Sequence, residues 1–133
     1  MKSLYTNVVS KLRIMSLALV LLALASSSMA QAPLLVQTNF DIMIKAVKDG
    51  VYGSFISAGS EDFKVKYVQD SFNKVNDISA PRLAQGYEAI YLSSLNLKGY
   101  TVFLWKLTYA DAGDDSLVSL SIENGFVIGF LIQ

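Results

Sequence analysis

The chain has 133 residues, 11 of them basic and 11 acidic, and contains no histidine and no cysteine. Those two absences exclude disulfides, thiol chemistry, Ser-His-Asp triads and the usual zinc, copper and iron sites. Any catalysis has to come from carboxylates, tyrosines or lysines.

Residues 1–30 read as an export signal. Lys2, Lys11 and Arg13 form a positive n-region, residues 14–25 an uncharged apolar run, and residues 26–30 a short polar segment. Ser28 and Ala30 suit the minus-three and minus-one positions of a signal-peptidase site, which places cleavage between Ala30 and Gln31. The apolar run spans 12 residues, short of the roughly 20 that cross a bilayer as a helix. An uncleaved N-terminal anchor is the alternative. No cysteine stands near the site to carry a lipid, and no paired arginine marks export in the folded state. The expected location is bacterial and exported, either periplasmic or secreted.

Cleavage leaves residues 31–133, enough for one domain and not two. It also leaves 8 basic against 11 acidic residues, a net of −3. Nucleic acid and anionic membrane surfaces demand clustered positive charge, so neither is an expected partner. Fourteen of the remaining residues are aromatic, which argues against disorder.

The first elements have helical periodicity. After Pro33, Thr38 or Asn39 is a suitable N-cap, and Phe40, Met43, Ile44 and Val47 recur at helical spacing up to a stop at Gly50. A short helix over residues 51–58 presents Val51, Phe55 and Ala58. Ser60 then caps a third helix in which Val65, Val68, Phe72 and Val75 repeat, ending at Ala80-Pro81. Beyond Pro81 the period changes to two. Strands are expected over residues 86–94, Tyr100–Tyr109, Ser116–Glu123 and Phe126–Ile132. Asn124-Gly125 is the strongest turn signal, suited to a two-residue type I′ hairpin.

Counting outward from that hairpin places Glu123 opposite Phe126, Ser121 opposite Ile128 and Ser119 opposite Phe130. Pairing Tyr109 with Ser116 and Ser94 with Tyr100 puts Tyr87, Ala89, Tyr91, Phe103, Trp105 and Leu107 on one apolar face, with Ala89 opposite Trp105. The helices are expected to cover that face. The other face mixes Ile90, Leu92, Val102, Leu104, Phe126, Ile128 and Phe130 with Glu88, Lys106, Ser119 and Ser121, with Glu88 opposite Lys106. Two explanations fit so apolar an outer face: a second copy of the chain covers it, or strong curvature folds the C-terminus across it.

This is an α+β arrangement, N-terminal helices on a curved four-stranded antiparallel meander, and it resembles the cone-shaped, cystatin-like fold of the nuclear transport factor 2-like superfamily. More narrowly it is similar to small exported bacterial members of unknown function. The resemblance rests on Phe40 through Gly50 running into Val51 and Phe55, on Pro81-Arg82-Leu83 leading into Gly86-Tyr87, and on the stretch from Gly99 to Leu107. It rests also on the ending Glu123-Asn124-Gly125-Phe126-Val127-Ile128-Gly129-Phe130. It implies a pocket between helices and sheet and a dimer through the outer sheet face. It implies no activity, because such folds host isomerases, dehydratases and non-enzymatic modules alike.

The candidate ligand pocket is Tyr67, Tyr87, Tyr91, Phe103 and Trp105, and the candidate interface is Glu88, Leu104, Lys106, Ile128 and Phe130. The first reading is an exported, non-enzymatic domain, a homodimer binding a small apolar ligand or a protein partner, with no cofactor and no metal. The alternative is a histidine-free isomerase or lyase with a carboxylate beside a tyrosine, for which Asp70, Asp77 or Glu88 serves only if the phase or register differs by one residue. Lys106 as a Schiff-base amine is less economical than Lys106 paired with Glu88. Asp111, Asp114 and Asp115 lack calcium-loop spacing, and Gly50, Gly53 and Gly59 do not form a phosphate loop.

Overall fold

A computed structural model describes residues 29–133; the charged and apolar parts of the expected leader lie outside the described residues. Four helices, α1 (Leu34–Asp49), α2 (Tyr52–Ser57), α3 (Glu61–Lys66) and α4 (Gln69–Gln85), precede an antiparallel meander. Its strands are β1 (Tyr87–Leu97), β2 (Tyr100–Tyr109), β3 (Ser116–Glu123) and β4 (Phe126–Ile132), hydrogen-bonded in sequence order. The fold is α+β, with helices packed on one side of a curved sheet that does not close.

Helix α1 starts four residues before Thr38. Pro33 takes the cap position, and its carbonyl accepts from the Gln37 N–H at 2.9 Å. The fixed φ of proline suits a helix start, so Leu34 opens the helix. Thr38 lies inside it and donates its hydroxyl back to the Leu34 carbonyl at 2.9 Å. Phe40, Met43, Ile44 and Val47 form the expected buried stripe, and Val36 extends it by a turn. Gly50, at φ +72°, ends the helix in the left-handed conformation that glycine adopts without strain.

Ser60 caps α3 as expected, its Oγ accepting from the Phe63 N–H at 3.1 Å. The single third helix, however, is two helices. Tyr67 and Val68 leave helical geometry between α3 and α4, and Val65 is 76% exposed. The buried residues are Phe63 and Phe72, nine positions apart, which in an unbroken helix point about 180° away from each other. The break lets both rings pack on Phe55, at centroid distances of 5.9 and 5.0 Å. Nor does Pro81 end the last helix, which continues to Gln85. Proline costs one ladder bond, to the Asp77 carbonyl, and both residues lie on the exposed side where water replaces it.

Strands β2, β3 and β4 occupy the expected spans, and β1 runs three residues further, to Leu97. Asn124 and Gly125 have φ of +51° and +82°, the paired positive values of the type I′ turn. Lys98 and Gly99 repeat that geometry between β1 and β2, at +51° and +92°.

The register differs from expectation in three places. Between β3 and β4 an extra residue, Ile128, is inserted after the Ile122–Val127 pair, so Leu120 faces Phe130 and Ser119 faces Leu131. Between β1 and β2 a second irregularity falls at Leu92, and Tyr91, not Ala89, lies opposite Trp105. Glu88 faces Thr108 and not Lys106. Strands β2 and β3 are offset by two residues from the expected pairing, with Trp105 opposite Val118. A two-residue offset preserves which side each residue faces. The bulges bend their strands and add local twist, which gives the sheet its curvature.

Phe103, Trp105 and Leu107 therefore point to the helices and are buried with Val118, Leu120 and Val127. The Trp105 ring stacks on Phe40 of α1 at 4.2 Å and 13°. A short crossing tie completes the layer. Gly59 bridges Val127 in parallel, with the Ser60 N–H bonded to the Val127 carbonyl at 2.8 Å and the Val127 N–H to the Ala58 carbonyl at 2.9 Å. A Cβ at Gly59 would stand 2.4 Å from the ring of Phe63 on α3, so glycine leaves room for that ring to pack back against the tie.

Candidate functional site

The five residues expected to line one pocket fall in three separate places. Trp105 is 1% exposed, with one ring face covered by Phe40 and its edge met by Tyr91 at 5.4 Å. Its indole N–H donates to the Gln37 side-chain oxygen at 3.3 Å. Phe103 is buried in the same cluster. Tyr67 belongs to a second group, stacked on Phe63 at 5.1 Å and tilted against Phe55 at 5.0 Å. Its carbonyl accepts from the Tyr52 hydroxyl at 2.8 Å, and burial raises its phenol above the ordinary value. Tyr87 is at the surface opposite Tyr109. Its phenol is raised first by partial burial and then by the negative Asp41 and Asp49 carboxylates. Around Trp105 the space between helices and sheet is occupied by Phe40, Tyr91 and the rest of the buried cluster.

Clefts occur instead at the rim. One of about 510 Å³ lies between α3 and the β3–β4 hairpin, lined in part by Asp62, Lys66, Tyr100, Glu123 and Phe126. Another, of about 550 Å³, separates residues 29–32 and Leu34 from Glu88, Ala89, Ile90 and Tyr91 of β1. The expected cleavage point, Ala30-Gln31, is part of that second lining, in extended chain just ahead of α1.

The chemistry of an isomerase or lyase needs a desolvated carboxylate, because a carboxylate in water is too weak a base. Asp70, Asp77 and Glu88 are exposed, as is every other Asp and Glu of the described residues. The aromatic groups of the core thus have no carboxylate beside them. Lys106 pairs with Asp115 at 3.8 Å, at the surface, so its expected partner Glu88 is replaced. Among the described residues no group of three or more Asp or Glu side chains is placed to hold a metal ion.

The interface candidates also separate. Glu88, Leu104, Lys106 and Ile128 lie away from the buried layer, with Leu104 central on β2 between Ser93 and Ser119. Phe130 does not. The Ile128 bulge turns it inward, where it meets Phe55 edge-on at 5.1 Å. The uncovered face is carried by Ile90, Leu95, Leu97, Leu104, Leu117 and Leu131, with serines and Lys106 between them.

One polar cluster has no counterpart in the sequence reading. Arg82, near the end of α4, forms a two-pronged pair with Asp111 in the β2–β3 loop, at 2.7 and 3.0 Å. It also donates to the Asp114 carbonyl at 2.8 Å and lies 3.7 Å above the Tyr109 ring. The guanidinium, helped by the Gly113 N–H, holds the Asp111 carboxyl down at about 2. The partners are 29 residues apart with no shared pattern, so spacing offers no signal for them. This clamp fixes a loop to a helix and leaves Asp111 engaged and unsuited to a metal.

No protein-family model matches the chain, and no curated protein matches it in sequence. Among the described residues no helix is long and apolar enough to cross a membrane.

Proposed function

We propose that the chain is an exported, non-enzymatic domain of the nuclear transport factor 2-like kind that works by binding protein through the outer face of its sheet, first of all a second copy of itself. One observation carries this: the inner face is filled by its own side chains while a broad apolar outer face has no covering layer. The C-terminus does not fold across it, since Gln133 hydrogen-bonds to Leu117 in line with the β3–β4 ladder, at 2.7 and 3.0 Å. The small-ligand reading loses its support with the space around Trp105 occupied.

The size of the face is compatible with such a contact. Four strands about 4.8 Å apart and roughly seven residues long present about 450 Å² per copy, or about 900 Å² for a pair. That falls below the roughly 1,200 Å² of stable specific contacts and in the range of weak, transient ones, which suits a reversible association. Leu104 sits near the middle. Replacing it by Glu puts a charge in the centre of the contact while leaving the buried layer untouched. Sedimentation velocity of the exported protein is expected to show self-association that Leu104→Glu abolishes with little change in melting temperature. A wild-type protein that remains a monomer at millimolar concentration overturns the reading.

A further inference from the structure

We infer that the free edge of β1 is a second self-pairing site, at which two copies join their sheets antiparallel through residues 92–97. This goes beyond the outer-face contact and does not depend on it. The two edges of the sheet are treated differently by the fold. At the β4 edge residues 58–60 engage both backbone groups of Val127: the Ser60 N–H donates to the Val127 carbonyl, and the Ala58 carbonyl accepts from the Val127 N–H. The first half of β1 lies across a cleft from residues 31 and 32, the part of that lining left after the expected cleavage. Residues 92–97 extend beyond the helices and are exposed throughout.

Exposed edges in natural sheets are usually shortened, interrupted by proline or guarded by charge. Here the edge strand is 11 residues long, and residues 89–97 contain no proline and no charged residue. The turn geometry shows which backbone groups are on offer. Leu97 and Tyr100 flank a two-residue turn and form a doubly hydrogen-bonded pair; alternation then commits Leu95 and Ser93 to β2 as well. The N–H and C=O groups of Ser94 and Asn96 therefore point to the free edge. The Ser93 hydroxyl donates to the Ser94 carbonyl at a long 3.3 Å, a weak local substitute for a strand partner.

A second copy is the occupant that fits. A two-fold axis through Leu95 sets Ser94 opposite the second copy's Asn96 and Asn96 opposite its Ser94, so both outward pairs meet their hydrogen-bonding complements. Leu95 then meets its own counterpart on the outer side, and no like charges come opposite one another. Leu95 and Leu97 are 40% and 49% exposed in the single copy and would be covered by the pairing.

The test uses charge at the two outward positions, whose side chains lie beyond the helices. Ser94→Lys with Asn96→Lys places lysine opposite lysine twice in this register and is expected to weaken association by about tenfold or more. Ser94→Lys with Asn96→Glu places lysine opposite glutamate twice and is expected to retain it. Sedimentation equilibrium of both double variants, with circular dichroism to show that each is folded, reads the outcome. Unchanged association in the lysine–lysine variant overturns the inference, as does equal loss in both variants. Leu104→Glu separates the two surfaces: if it leaves association intact while the lysine–lysine variant loses it, the edge stands and the outer-face contact falls.

Discussion

Truncating Trp105 to Ala tests whether the space between helices and sheet is filled. The ring is 1% exposed and stacked on Phe40 at 4.2 Å, with Tyr91 against its edge. Removing a buried aromatic costs about 3–5 kcal/mol, and the lost ring pairs add about 0.5–1.5 kcal/mol. A domain of this size has a total stability of roughly 5–15 kcal/mol, so the variant loses about a quarter or more of it. At about 4–8 °C per kcal/mol the melting temperature falls by roughly 15–50 °C. Urea unfolding followed by circular dichroism measures the loss, and Trp105→Phe, which keeps the stack on Phe40, is expected to recover about half of it. A loss below about 1 kcal/mol would mean that Trp105 borders open space, and the case against an internal ligand site would collapse.

Three further outcomes follow from particular contacts. Asp111 is held at about 2, below its ordinary 3.8, first by the Arg82 hydrogen bonds. Its stabilising contribution is therefore fully present above the unfolded value and lost as pH falls toward about 2. A carboxyl-carbon NMR titration is expected to show that midpoint, and to return it to the ordinary range in Arg82→Gln; a wild-type midpoint near 3.8 contradicts the clamp. Gly59→Ala is expected to cost about 1–3 kcal/mol in urea unfolding, because its Cβ would meet the Phe63 ring at 2.4 Å. Gly53→Ala, in open space on the exposed side of α2, is expected to gain about 0.5–1 kcal/mol. Equal effects at the two glycines would show that the Gly59 approach is looser than described. The Tyr67 phenol, raised by burial, is expected to ionise above the ordinary tyrosine value of 10.0 in an alkaline NMR titration, and a midpoint at or below that value would contradict its packing.

Local signals carried most of the sheet. Alternation over β2 identified the inward residues Phe103, Trp105 and Leu107, and Asn124-Gly125 marked its turn because few residues tolerate positive φ twice. Ser60 and Gly50 likewise act on their nearest neighbours, and both were readable as a cap and a stop. The expectations that differ depend on distant partners or on a single inserted residue. Ile128 looks like any strand residue, yet its bulge moves Phe130 from the outer face to the core. The Tyr67–Val68 break is demanded by Phe55, which only tertiary packing brings between Phe63 and Phe72. Pro81 is tolerated because that side of α4 faces water, which the helical pattern does not encode. The candidate site suffered most, since five aromatics facing inward imply a pocket only if the opposing layer leaves room, and Phe40 does not.

Methyl NMR of the exported protein over a dilution series addresses the contact surface itself. The Leu104 and Leu131 methyls on the outer face are expected to shift with concentration, while those of Leu107 and Leu120 in the buried layer stay fixed. Outer-face methyls that hold still, with buried-layer methyls moving on addition of an apolar ligand, would place the binding surface inside the fold and contradict the proposal.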